Sequence, residues 1–350
     1  MYGRNIQISD ARRAIQGAAA IGFHARCGFG VSTLLRHIAA SDFAQATGLP
    51  VARLRAGRGP VADVLQRLVD QLYVSEQRIR LTAPETAQVL GQLRAVVVLD
   101  DVAVSAEEAG YILAVLPRCS IVLGSLRPVF GRYGASQALP GLSEHASLEL
   151  VTGILGRPPG TAEYLEAMRF VASVHGQPLR LKQAAALVRC DQRSFAELAD
   201  SAQRDPAQLD RLCVSRMAEP ERKILAIMTM AAGALIPAGL ITVMAGVTHA
   251  AKALRQLADR GLAEQDQDRF GLPICSAARY RDILQENLEA RSSARLLAGW
   301  LTGRDPGSPD AIAALDAALS LLEYAAERRE WTAVIAIARA ADPVLALAGR

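Results

Sequence analysis

The sequence predicts an α/β domain with a parallel sheet over residues 1–140, then three largely helical segments over 141–210, 211–288 and 289–350. Three observations carry this. Apolar runs rich in β-branched residues, such as Val96–Leu99 and Ile121–Leu123, alternate with stretches of helical spacing, as strands buried on both faces of a parallel sheet do. A glycine-rich turn follows the first such run and leads straight into an apolar helix. From about Leu142 the strand signals fade and helical periodicity takes over.

Each element follows in order. Ala18–Phe23 is a buried-type strand, and Thr33–Ala44 the helix after the turn. Pro50–Ala56 suits a second strand, Val61–Tyr73 and Pro84–Leu93 are amphipathic, and Arg94–Val102 is an apolar strand ending in paired aspartates. A helix over Ala106–Val115 and a strand in Cys119–Ser125 complete the first domain. Ser143–Leu155, Thr161–His175 and Pro178–Arg189 are helices, the last two parted by the break Gly176-Gln177-Pro178. Helices over 220–231, 237–244 and 248–261 then precede two short strands within 262–273, the outline of a winged helix. The remainder is helical, with Trp331 opening a last amphipathic segment that resembles the start of a repeat array. The chain stops close behind that pattern, as expected of a segment of a longer polypeptide.

Composition narrows the function classes. With 350 residues, 51% hydrophobic and only 5% aromatic, the chain builds its cores from Ala, Leu, Val and Ile. A net charge of +4, from 39 basic and 35 acidic residues, is too mild to imply nucleic acid or an anionic membrane by itself. Cys27, Cys119, Cys190, Cys213 and Cys275 lack C-x-x-C spacing and read as reduced residues of a cytoplasmic protein. No apolar run reaches the ~20 residues of a membrane span. The longest candidate, Ile224–Met244, is interrupted by Gly233, Pro237 and Gly239. The histidines show no metal spacing, and no Ser-His-Asp, Cys-His or HExxH arrangement is present.

The chemistry concentrates at the turn. A strand, Gly28 and Gly30, then Ser32-Thr33 and a helix form the layout of a P-loop, whose amides and helix N-terminus cradle phosphates. Against G-x-x-x-x-G-K-[ST], Ala25 replaces the first glycine and Val31 the lysine that reaches the β- and γ-phosphates. Valine donates nothing to them. Ser32 and Thr33 stand where a hydroxyl coordinates Mg²⁺ and where side chains cap a helix. Of Asp100 and Asp101, one carboxylate holds Mg²⁺ in such proteins and a second polarises the attacking water. The same pair also serves as an ordinary loop start or helix cap. Arg127, after the next strand, is placed to sense a γ-phosphate or to sit solvated in a loop. Arg26, inside the turn, is a candidate substitute cation.

Together these segments resemble the NB-ARC branch of the STAND signalling ATPases, from Tyr2 to about Leu284. Gly3-Arg4 is similar to the family's Gly-Arg motif, which implies that Arg4 touches the base. Arg94–Val102 is similar to its Walker B segment, Ile121–Arg127 to its sensor strand, and Leu139–Leu150 to its Pro-Leu-Ser-Glu helix start. Gly176–Leu179 matches Gly-Leu-Pro-Leu except at Gln177, which implies that Pro178 lies against the adenine. The implied fold is an α/β P-loop NTPase domain, a helical domain, a winged helix and an all-α C-terminal segment. The implied function is a signalling or defence switch and scaffold, a pseudo-NTPase held by ADP or free of nucleotide. ADP or ATP with Mg²⁺ is the expected cofactor, Ser32 and Asp100 being the Mg²⁺ residues, and none if the pocket is dead. Expected partners are effector or sensor domains, or further copies of the chain, with neither DNA nor membrane. Two other readings stand beside it. One is a slow but active ATPase using Asp100 and Asp101. The other is a winged-helix transcription regulator using Lys252 and Arg255.

Overall fold

Five strands make the first sheet: β1 (Ala20–His24), β2 (Val51–Gly57), β3 (Val96–Val102), β4 (Ser120–Ser125) and β5 (Ala135–Ala138). Every pairing is parallel and the order is β2-β3-β4-β1-β5. The computed structural model describes residues 1–57, 60–73, 80–205, 207–248, 250–272 and 274–348. They fall into two units, Met1–Ser147 and Leu148–Arg350.

In the first unit, helices cover both faces of the sheet. On one side α1 (Asn5–Gln16), α2 (Val31–Ala39) and α3 (Asp42–Gln45) bury Ala11, Ile15, Leu34, Leu35 and Ile38 with Phe23, Val96, Val98 and Val122. On the other, α4 (Val61–Leu72), α5 (Ala83–Gly91) and α6 (Ala106–Val115) bury Leu65, Leu68, Leu90 and Ile112 with Val97, Leu99, Ile121 and Leu123. Successive residues of β3 and β4 thus serve opposite cores, which is why the run Val96–Leu99 contains no polar residue. Each Val or Leu so buried contributes roughly 1.5–3 kcal/mol.

Several expectations are corrected. The helix expected over Thr33–Ala44 is two, because the Ser41 hydroxyl caps α3 by accepting from the Ala44 amide. Helix α1 and strand β5 are additional elements. Neither Ser32 nor Thr33 caps a helix: both lie inside α2, whose cap is Gly30 in the left-handed region. The aspartate pair caps nothing either, since Ser105 caps α6 in a reciprocal box with Glu108. Cys27 is disulfide-bonded, against the reduced reading, whereas Cys119, Cys190 and Cys213 are free. The Cys275 side chain lies outside the described residues.

Helix α7 (Glu144–Leu155) runs from the first unit's last residues into the second. The second unit continues with α8 (Thr161–Ser173), α9 (Pro178–Asp191), α10 (Phe195–Arg204) and α11 (Gln208–Ser215). There follow α12 (Glu219–Met230), β6 (Leu235–Pro237), α13 (Ala238–Ala245), α14 (Ala250–Asp259), β7 (Glu264–Asp266), β8 (Arg269–Gly271) and α15 (Ile274–Arg281). The three short strands form an antiparallel sheet in the order β6-β8-β7. The stretch Ile224–Met244 is therefore helix, strand and helix. Last come α16 (Ala290–Thr302), α17 (Pro309–Glu327) and α18 (Trp331–Ala348), with α18 packed on the other two. Among the described helices α18 alone is long and apolar enough to cross a membrane, by length and composition. Ile337, Ala341 and Val344 of that helix are buried.

Candidate phosphate and metal site

The carboxyl ends of β1, β3 and β4 are neighbours in the sheet, the usual place for ligands in α/β folds. The turn from β1 to α2 is anchored there by the Ala25 amide, which donates to Ser125 O at 3.2 Å. Gly28 and Gly30 have φ of 83° and 91°, a left-handed region in which a side chain is strained. Those two bends and the start of α2 leave the amides of Gly28, Gly30, Val31 and Ser32 without a main-chain acceptor among the described residues. A run of amides of this kind at a helix N-terminus attracts anions.

Ser32, on the first turn of α2, donates its hydroxyl to Asp100 Oδ1 at 3.1 Å. The Asp101 amide donates to the same oxygen at 2.9 Å. Asp101 has φ of 56°, and the β3–β4 register shifts between Leu99 and Val102, so the pair sits on a bulge. Backbone strain of this kind concentrates at functional sites. Asp100 is buried, and burial pushes its carboxyl above the usual range against the opposing pull of Arg55 and the Ser32 hydrogen bond. Asp101 is partly exposed and its Oδ2 accepts from Arg55 Nε and Nη2, each at 3.3 Å.

Val31 turns toward the sheet. A Cβ built on Gly124 of β4 would lie 2.7 Å from Val31 Cγ1, 2.4 Å from Leu35 Cδ1 and 3.3 Å from Asp100 Oδ1. Gly124 is therefore what lets α2 approach β4. No cation of the turn takes the missing lysine's place in this geometry: Arg26 is exposed, with no ion pair among the described residues. Thr33 is exposed, as is Arg127, whose carbonyl accepts the Ser125 hydroxyl at 2.6 Å. Arg4 is buried and donates to Phe29 O and Pro140 O, each at 2.9 Å. Pro178 opens α9 in the second unit, one residue after the cap Gln177.

Sequence reasoning brought Ser32 and Asp100 to one site and missed Arg55 and Gly124. Arg55 had a weak signal, an arginine near the end of a strand beside an acidic one. Gly124 had a clearer one, a glycine within an apolar strand run. The donors fit a hard cation, because hydroxyl and carboxylate oxygens suit Mg²⁺. No cluster of three His, Cys, Asp or Glu residues suited to a metal occurs among the described residues. A cation here would complete its shell with phosphate and water oxygens, as Mg²⁺ does in nucleotide sites.

No family model matches the chain, and no curated protein matches it either. Among solved structures it is similar to a Signal Transduction ATPase with Numerous Domains (STAND) protein with a tetratricopeptide repeat sensor, from Pyrococcus horikoshii. That likeness covers 99% of this chain and 53% of the other, at 14% identity and a TM-score of 0.67. The chain thus spans about half the length of that protein. A Walker-type ATPase of Pyrococcus abyssi aligns over 80% of this chain and 96% of its own, at 14% identity, but its TM-score of 0.43 is too low to carry weight. At these identities the likeness speaks for architecture alone, and the chain has a STAND-like P-loop NTPase fold.

Proposed function

We propose that the chain is a regulatory module of the STAND kind that binds ADP or ATP with Mg²⁺ weakly, turns it over negligibly, and acts as a switch or scaffold for protein partners. The observation that carries this reading is the 3.1 Å hydrogen bond from Ser32 to Asp100, which joins the glycine turn to the end of β3. These two oxygens are the ones that would hold Mg²⁺, directly or through water, once phosphates occupy the turn. The bound cation supplies charge neutralisation at the phosphates. The amides of Gly28, Gly30 and Val31 orient them.

Two features argue for binding without efficient hydrolysis. Val31 removes the lysine, a charged contact worth roughly 2–3 kcal/mol at a desolvated site. Asp101, the residue that would polarise water, shares its carboxylate with Arg55. In this reading Arg26 and Arg127, both exposed, are free to swing toward a γ-phosphate, and Thr33 borders the turn. Residues 141–210 act as the helical domain, 211–288 as a winged helix, and 289–350 as the start of a partner-binding array. Partners would be sensor or effector domains or further copies of the chain.

The order of helices and strands from α12 to β8 supports the winged helix, but not a DNA reader. On α14 only Lys252 and Arg255 are exposed cations, Asp259 is exposed among them, and Arg260 lies 3.8 Å from Asp191. A DNA reader needs a clearer basic stripe.

The test is the nucleotide content of freshly purified protein, released by denaturation and separated by anion exchange, with phosphate release measured in parallel. Little retained ADP, weak saturable binding when ADP and Mg²⁺ are titrated back into the same protein, and no measurable turnover are the expected result. Turnover lost in Asp100→Asn and Asp101→Asn would establish an active ATPase instead.

A further inference from the structure

Arg4 is among the largest side chains fully buried in the chain, and it pairs with no carboxylate among the described residues. Burial alone lowers its proton affinity. Holding a guanidinium out of water without a counter-charge costs several kcal/mol, less what its hydrogen bonds return. Those bonds go to two carbonyls far apart in sequence, Phe29 O inside the glycine turn and Pro140 O just beyond β5.

Two further contacts seat the same assembly. The Leu139 amide donates to His24 O at 2.8 Å, so the segment after β5 is fastened where the turn begins. Gly3 has φ of 59°, and a Cβ there would lie 2.6 Å from Ala146 Cβ in the first turn of α7. The N-terminal arm is therefore fitted against α7, and its arginine reaches from there into the turn. A planar fork with fixed donors serves this purpose better than an ammonium would, since it can satisfy two acceptors in one geometry.

We infer that Arg4 is a positioning residue that couples the state of the glycine turn to the connector 139–143. Phosphates of a nucleoside diphosphate that order the turn fix Phe29 O. Through one guanidinium they fix Pro140 O, the start of the chain that leads into α7. The ligand in this inference rests on the nucleotide reading above, whereas the coupling itself does not.

The experiment is amide hydrogen exchange on the full chain, read by mass spectrometry over residues 25–33 and 139–147, with and without ADP and Mg²⁺. In the wild type ADP is expected to slow exchange in both segments. Arg4→Lys keeps the charge but loses the fork. Without ADP it is expected to exchange about tenfold faster in both segments, the opening that follows loss of a charge-assisted bond. With ADP its protection should persist over 25–33 and vanish over 139–147. Faster exchange in one segment only, or undiminished protection over 139–147, would overturn the coupling. If ADP protects neither segment in any variant, the nucleotide reading fails and the ligand-free comparison still decides the coupling. Should Arg4→Lys not fold, Gly3→Ala displaces the arm with the guanidinium intact, and the same joint acceleration is expected.

Discussion

A buried carboxylate at the end of a strand works against folding unless something binds it. Asp100 keeps two hydrogen bonds on one oxygen, yet burial holds its folded pKa above the ordinary value. A raised carboxyl favours the fold below the unfolded pKa of about 3.9, and that contribution is lost as pH rises through the folded value. At about pH 8 the ionised group therefore opposes folding. Asp100→Asn retains an oxygen to accept both bonds, so calorimetry at that pH is expected to show Tm raised by about 2–4 °C. The gain should disappear near pH 3, and a lower Tm at pH 8 would refute this view of Asp100. A gain in stability on removing such a group is the usual mark of a functional site.

Between elements, the closest fit is that of α2 against β4 over Gly124. Gly124→Ala puts a methyl into Val31 and Leu35 and is expected to destabilise the first unit by about 1–3 kcal/mol in urea unfolding. In the second unit Arg180 of α9 binds both oxygens of Asp210 on α11, at 2.7 and 2.8 Å. Asp210 is fully buried, and Arg279 at 4.0 Å is a poor substitute partner. Arg180→Ala is expected to cost about 3–5 kcal/mol, seen as a shifted urea midpoint. Beside this pair burial pushes the Cys213 thiol up to about 12 and raises the Tyr280 hydroxyl well above its usual value. Raised acids stabilise the fold below their unfolded pKa and cease to do so as pH climbs through the folded one. Stability should therefore decline between about pH 8.5 and 12, and Cys213→Ala should flatten that decline. An unchanged slope in the variant would count against the burial of the thiol as its cause. These elements differ in how plainly the sequence announced them. Strands β3 and β4 were legible because both of their faces are buried. Strand β5 was not, since Ala135–Ala138 is a largely exposed edge without an apolar pattern. Helix α1 escaped because only Ala11 and Ile15 of its twelve residues are buried. Helix α10 carries its signal outside the apolar pattern, in the capping box of Ser194 and Glu197.

At the scale of the molecule, the glycine turn and the aspartate beside it could be read from spacing, because a P-loop motif requires particular residue types at fixed separations. The arginines that organise the site could not. Arg4 reaches a carbonyl 136 residues away, and a main-chain acceptor leaves no trace in a side-chain pattern. Arg55 meets Asp101 only because β2 and β3 pair in register, which propensity does not encode. What unites these observations is a glycine turn at a helix N-terminus that carries Val31 where the P-loop motif has lysine. Calorimetric titration of ADP and Mg²⁺ into the wild type and into Val31→Lys tests that most directly. The wild type is expected to bind weakly, and the variant on the order of 100-fold more tightly, as a restored charge-assisted contact implies. No binding by either protein at millimolar ADP would contradict a phosphate-cradling turn, and equal affinity in both would contradict the role assigned to Val31.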